Sequence, residues 1–180
     1  MKFHKTNFSD LIIIEPTIFN DERGCFFEAY NKVLFQSNGI QPEFVQDNIS
    51  LSHKNVLRGL HFQNAPFAQG KIVSVIKGSV LDVVVDIRKA SLTFGKHYSI
   101  ELSDKNNLIF YVPAGFAHGF ISLEDNTIFT YKCTNNYNKA SEGGIIWNDS
   151  TLNIDWRTNA PLLSPKDLFL PPFIQLNSLF

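Results

Sequence analysis

Apolar and polar positions alternate in short runs along the chain, and turn residues interrupt each run before it reaches helical length. Leu11–Glu15 reads as a strand that stops at Pro16. Asn20–Gly24 is a turn, and Cys25–Tyr30 resumes an aromatic, extended pattern. Asn31 can cap one short helix that runs through Phe35 and ends near Gly39. Phe44–Ser50, Tyr98–Leu102, Leu108–Val112, Ala117–Leu123 and Thr127–Thr134 continue the strands. In the centre, Ile72–Ile76 and Val80–Ile87 flank Lys77-Gly78-Ser79, and this pattern predicts a β-hairpin. The period of two puts Asp82, Val84 and Asp86 on one face, and Leu81, Val83, Val85 and Ile87 on the other.

A series of short strands with one convincing helix predicts an all-β fold, an antiparallel barrel or sandwich. The Pro-rich stretch from Pro161 to Pro172 reads as a C-terminal wrap of loops and short turns, and no linker composition appears. One domain over residues 1–180 is the expectation.

Composition adds a few exclusions. The 17 Phe and five Tyr favour pleated surfaces. The net charge is −1 and charges are scattered, so there is no basic stripe to neutralise a run of phosphates, and a nucleic-acid partner is not expected. Cys25 and Cys133 form neither a CxxC pair nor a disulfide framework, which suits a reducing compartment. The apolar run Leu11–Ile14 is too short for a signal core or a membrane span. A cytoplasmic protein with no membrane partner is expected.

Polar groups concentrate in three segments among the apolar strands. They are Arg58-Gly59-Leu60-His61-Phe62-Gln63, Pro113-Ala114-Gly115-Phe116-Ala117-His118-Gly119-Phe120 and Thr130-Tyr131-Lys132-Cys133-Thr134. Lys71 follows the loop Asn64–Gly70, which is expected to return it beside the His61 strand. Metal-binding cupin barrels use a His-x-His pair and a Glu on one hairpin, and a His after a Pro-x-Gly turn. Pro113-x-Gly115-x-x-His118 matches the second half, but His61 is followed by Phe62-Gln63 and no Glu comes before Gly70. One or two imidazoles alone hold a divalent metal poorly, so the pattern reads as a cupin barrel with its metal centre dismantled and no metal ligands.

A cation and a histidine in a barrel mouth suit proton abstraction beside a carbonyl. Imidazole has an ordinary pKa of about 6.5, so its neutral form is available as a base. The ammonium of Lys71 can steady the resulting enolate, an interaction typically worth roughly 3–4 kcal/mol in barrier. Tyr131, on a strand face with Phe129 and Cys133, is the candidate acid for the opposite side. Taken singly, each residue has an ordinary structural reading: a bonded strand histidine, a core tyrosine, a solvated lysine or arginine. Their joint occurrence beside an incomplete metal motif carries the argument.

Several segments together resemble the dTDP-4-dehydrorhamnose 3,5-epimerase family. They are Asp21-Glu22-Arg23-Gly24, Phe44-Val45-Gln46-Asp47-Asn48, Val56 through Gln63, Asp82 through Arg88, Val112 through Phe120, Trp147-Asn148-Asp149 and Leu163-Ser164-Pro165-Lys166-Asp167. The likeness runs in order from about residue 10 to 172, leaving the tail Phe173–Phe180 outside it. It implies a jelly-roll, cupin-like barrel with short peripheral helices, working as a homodimer on a dTDP-linked 4-keto-6-deoxyhexose without metal or redox cofactor. It implies His61 as base, Asp167 as the carboxylate orienting its ring, Tyr131 as acid and Lys71 as partner of the C4 oxygen. It implies nucleotide and sugar contacts at Arg23, Phe26, Glu28, Gln46, Asp47, Asn48, Arg58, His118, Tyr137, Glu142 and Lys166.

Three rival functions share this signature in part: an epimerase inverting only C3 or only C5, a non-catalytic cupin that binds a sugar nucleotide, and a metal-dependent oxygenase. The missing metal ligands argue against the last, and the full set of base, cation and acid against the second. One geometric demand follows. In a regular strand Arg58 and His61 point to opposite faces, so meeting one ligand requires a bulge or sharp twist at Gly59.

Overall fold

The computed structural model describes residues 1–8 and 10–180. In chain order its strands are β1 (Lys2–Lys5), β2 (Ile12–Glu15), β3 (Phe19–Asp21), β4 (Gly24–Phe26), β5 (Gln46–Ser52), β6 (Leu57–Gln63) and β7 (Lys71–Lys77). Then follow β8 (Ser79–Asp86), β9 (His97–Ser103), β10 (Ile109–Val112), β11 (Phe116–Ser122), β12 (Thr127–Cys133) and β13 (Glu142–Gly144). The helix α1 (Lys32–Ser37) lies between β4 and β5. Its N-cap is the expected one: Asn31 is extended, and its side chain accepts from the Leu34 amide at 3.2 Å.

Two antiparallel sheets form the jelly roll. One has the order β1-β2-β10-β7-β12-β5 and the other β13-β6-β11-β8-β9, while β3 and β4 pair only with each other. The central hairpin expected from Lys77-Gly78-Ser79 is not there. β7 pairs with β10 and β12, and β8 pairs with β11 and β9, so the turn carries the chain from one sheet to the other. Gly78 makes that corner with φ +83°, and a Cβ there would sit 2.5 Å from the Thr127 hydroxyl oxygen. Likewise Lys71 does not lie beside the His61 strand within a sheet. β6 and β7 belong to opposite sheets, and the two residues face each other across the space between them.

Strand parity sorts the side chains into three apolar layers. Between the sheets lie Val73, Val75, Val80, Val84, Phe110, Phe120 and Phe129. Outside the five-stranded sheet, Leu57, Leu60, Phe62, Leu81, Val83, Val85 and Ile121 pack against Trp156, Leu163, Phe173 and Phe180 of the C-terminal segment. Outside the six-stranded sheet, Ile12, Ile14, Ile72 and Ile109 are covered by Phe35 and Ile40. The tail is therefore docked: Ser178 donates to the Ile87 carbonyl at 3.1 Å and the Leu179 amide to Asn64 Oδ1 at 3.0 Å. The inter-sheet layer leaves one end of its space lined by polar groups instead of apolar ones.

Candidate active site

The demand at Gly59 is met by a bulge. His61 stands opposite His118 and Arg58 opposite Phe120, so three steps along β6 match two along β11. Gly59 takes φ +134°, and a Cβ on it would lie 2.5 Å from Gly119 Cα, so two glycines let the strands approach where the extra residue is inserted. The bulge restores parity. Leu57, Leu60 and Phe62 go to the outer layer, while Arg58 and His61 both face the inter-sheet cavity.

That cavity has two compartments sharing His61, Lys71 and Tyr131. One, of about 290 Å³, is also lined by Gln46, Asn48, Gln69, Cys133, Tyr137 and Glu142. The other, of about 270 Å³, is lined by Arg58, His118, Phe120, Ser164, Lys166 and Asp167. The β12 alternation that sends Phe129, Tyr131 and Cys133 inward supplies one wall, and β5, paired with β12, adds Gln46 and Asn48.

Asp167 enters from the C-terminal wrap, and its Oδ1 lies 2.6 Å from His61 Nε2. Its Oδ2 accepts from the Ser164 hydroxyl at 2.9 Å, and its amide donates back to Ser164 Oγ at 3.1 Å. Burial works against the Asp167 charge, but hydrogen bonds from His61 and Ser164 and the nearby Lys166 outweigh it and hold the carboxyl below its ordinary range. An ionised Asp167 accepts from Nε2–H, which leaves Nδ1 as the basic nitrogen of His61.

Lys71 is sunk in the same space, its Nζ 5.7 Å from the centre of the Tyr131 ring. Burial pulls its ammonium down from the ordinary value, against the opposing charges of Cys133, Asp82 and Glu142. Burial raises the Tyr131 phenol, with Cys133 adding to the rise and Arg58 opposing it. A phenol held protonated between a cation and an aromatic wall is suited to donate.

Around this centre, Gln46 Nε2 donates to Asn48 Oδ1 at 3.0 Å, and Gln46 Oε1 accepts from the Tyr137 amide at 2.9 Å. The Tyr137 hydroxyl donates to Glu142 Oε2 at 3.0 Å, and Glu142 is ion-paired with Lys166. Arg58 reaches over to Ser52 Oγ at 3.4 Å. His118, opposite His61, has its Nε2 2.8 Å from Asp82 Oδ2. Among the described residues no three His, Cys, Asp or Glu side chains converge as a metal site.

Four of the expected contact residues lie elsewhere. Asp47 alternates to the outer face of β5, where it accepts from Lys132 Nζ at 2.9 Å. Arg23 and Phe26 sit on the β3–β4 hairpin, the Arg23 side chain 84% exposed and Phe26 as a whole 68% exposed. Arg23 is bonded there to Asp21, and the two line a separate surface depression with Phe19 and Cys25. Glu28 is exposed and accepts from Asn31 Nδ2 at 3.2 Å. The hairpin makes no ladder with either barrel sheet, so nothing draws these residues to the cavity of their own chain. Conversely, Gln69 and Cys133 line the cavity and were not singled out for it, and Asp82 meets it only through His118. The parity of Asp82 on a mixed strand face was the available signal.

The family model described as dTDP-4-dehydrorhamnose 3,5-epimerase matches residues 5–175. A dTDP-4-dehydrorhamnose 3,5-epimerase of Shigella flexneri is 50% identical over 169 residues, covering 93% of each chain. The solved dTDP-4-dehydrorhamnose 3,5-epimerase of Elizabethkingia anophelis superposes with a TM-score of 0.93 at 52% identity, covering 98% of both chains. A Legionella pneumophila dTDP-6-deoxy-D-glucose-3,5-epimerase, solved in complex with dTDP-4-keto-L-rhamnose, gives a TM-score of 0.94 at 44% identity, covering 98% of this chain and 94% of its own. This chain belongs to the dTDP-4-dehydrorhamnose 3,5-epimerase family.

Proposed function

We propose that the protein converts dTDP-4-dehydro-6-deoxy-D-glucose into dTDP-4-dehydro-L-rhamnose by inverting C3 and C5. The observation that carries this reading is the cavity in which the His61–Asp167 pair, Lys71 and Tyr131 meet. The C4 ketone acidifies the hydrogens on both neighbouring carbons. His61 Nδ1 takes one as a proton, and the C–H electron pair moves into an enolate whose charge on O4 faces the Lys71 ammonium. The Tyr131 phenol returns a proton to the opposite face, and the ketone re-forms inverted. Once His61 has released its proton to solvent and Tyr131 has regained one, repetition at the second carbon completes the conversion, with no net redox change and hence no redox cofactor. Positioned acid–base catalysis accounts for roughly 10²–10⁴-fold of the rate, and enolate stabilisation for much of the rest.

Around that centre, Gln46, Asn48, Arg58, His118, Tyr137, Glu142 and Lys166 are the proposed sugar and nucleotide contacts. The exposed hairpin supports a homodimer, in which Arg23, Phe26 and Glu28 of one protomer reach the site of the other. Exposed Ile49, Leu51 and Ile76 on the outer face of the six-stranded sheet are the apolar surface such a dimer would cover. Both cysteines are unpaired, in keeping with a cytoplasmic enzyme.

Incubation with dTDP-4-keto-6-deoxyglucose in deuterated water tests the reaction. Deuterium is expected at both C3 and C5. Label at one carbon alone would assign the protein to the single-centre epimerases, and label at neither would make it a binder.

A further inference from the structure

Asp82 stands on the inner face of β8, fully buried, beside a site to which the mechanism above gives it no part. Its Oδ2 meets His118 Nε2 at 2.8 Å, while its Oδ1 is buried without a hydrogen-bond partner. A buried carboxylate oxygen left unpaired is costly, and such atoms call for a reason. Asp86, four residues along the same face, shows the ordinary alternative: Arg88, Ser91 and Thr93 all bond to it.

The surroundings supply the reason. Lys71 is half-buried at the wall of both compartments and, among the described residues, has no carboxylate within ion-pairing distance. Facing it are Tyr131 and Cys133 on β12, His61 and Arg58 on β6, and His118 on β11. Two carboxylates act on it, Glu142 and Asp82. Glu142 is already neutralised by Lys166. Burial pulls His118 below its ordinary pKa, with Lys71 and His61 adding to the fall and Asp82 resisting it. His118 is therefore neutral near pH 7, and the charge of Asp82 is left uncancelled.

We propose that Asp82 is a positioning residue of the epimerisation, with two tasks. It accepts from His118 Nε2–H, so that Nδ1 presents a lone pair to a hydroxyl of the bound sugar. Its uncancelled charge also keeps the half-buried Lys71 in the ammonium form that the enolate needs. Lys71, not His118, is then the cation of the reaction. This rests on the epimerase reading, but its test is separable from it.

The experiment compares the wild type with Asp82→Asn and Asp82→Glu in rate, pH profile and substrate KM. Asp82→Asn is expected to lower kcat by roughly 10²-fold, as small misplacements in such sites do, with KM within about threefold. Losing the carboxylate also lets Lys71 give up its proton more readily, so the alkaline limb of kcat moves to lower pH. Asp82→Glu, which keeps the charge but shifts the imidazole, is expected to lose rate while its alkaline limb stays in place. The Lys71 ¹³Cε signal, followed by NMR in labelled enzyme, reads the same shift without turnover. An Asp82→Asn enzyme with both the limb and the Lys71 titration unmoved overturns the proposal, however much its thermal stability has changed. A wild type that exchanges no deuterium would instead sink the epimerase reading. Should Asp82→Asn fail to fold, adding Lys71→Met removes both charges together. Recovery of folded protein supports their balance, and no recovery overturns it.

Discussion

On the inner face of the five-stranded sheet stand Arg58, His61, Asp82 and His118; one residue away along the same strands, on the outer face, stand Leu57, Leu60, Leu81 and Val83. The two sets share a backbone but not an environment. The inner groups are held by paired hydrogen bonds, His61 to Asp167 and His118 to Asp82, at 2.6 and 2.8 Å. The outer side chains pack against the C-terminal wrap by apolar contact, and the Leu57 amide also donates to the Leu162 carbonyl at 3.0 Å. Chemistry and cohesion are thus separated by the two-residue period of a strand, and the Gly59 bulge is what keeps β6 in step. Substitutions on the two faces should therefore fail in different ways.

The largest effect is expected at the inner face. His61→Ala should reduce deuterium exchange by roughly 10²–10⁴-fold while dTDP binding, measured by calorimetry, persists. Asp167→Asn should follow it in direction, since an amide can accept from Nε2 or donate to it and no longer dictates which nitrogen is basic. Thermal midpoints close to the wild type would show that the face carries activity and not stability. A His61→Ala protein that turns over normally would remove the base from the mechanism.

The opposite result is expected one residue to the side of Asp82. Leu81 is almost fully buried in the outer layer, so Leu81→Ala should cost about 2–5 kcal/mol in denaturant unfolding. Its kcat, measured where the protein remains folded, should change less than about threefold. If kcat fell along with stability, the two faces would be mechanically coupled and the division by parity would be wrong.

Asp86 sharpens the comparison, because it shares the inner parity of Asp82 yet serves the fold. Burial disfavours its charge, but Arg88, Ser91 and Thr93 bond it so fully that its pKa is lowered from 3.8 to about 2. A carboxylate depressed in the folded state adds stability above its unfolded pKa and loses it as pH falls through the folded one. Asp86→Asn should thus cost about 2 kcal/mol at pH 7. The gap to the wild type should narrow below about pH 4 and close near pH 2. Unfolding curves at several pH values measure this directly, and a gap independent of pH would mean that the loss comes from packing instead.

Much of this arrangement was legible in advance because it is local. The alternation of β8 announced a greasy face and a mixed one, and the Asn31 cap announced α1; Arg58 and His61 could share a ligand, as the resemblance implies, only through a bulge or sharp twist at Gly59, and the fold supplies the bulge. Pairing was less legible. Lys77-Gly78-Ser79 carries the chemistry of a hairpin turn, but a glycine corner between sheets uses the same residues, and nothing in either strand names its neighbour. Asp82 was visible by face and not by role, since an orphan oxygen is a property of surroundings that only the folded chain assembles. Arg23, Phe26 and Glu28 carry a family pattern, but in the folded chain they stay exposed and apart from the cavity, which no local pattern reveals.

Asp47 offers the smallest effect and the finest check on parity. It lies between Gln46 and Asn48, both cavity-lining, yet its side chain points out to Lys132. Exposed ion pairs contribute about 0–1 kcal/mol, so Asp47→Ala should barely move the thermal midpoint. Because the strand backbone is retained, KM should stay within about twofold, whereas Asn48→Ala should raise it several-fold more. Steady-state kinetics on the two single variants decide the matter. A KM effect at Asp47 as large as that at Asn48 would mean that substrate binding reaches around the strand edge, and that facing the cavity is not what makes a residue of β5 functional.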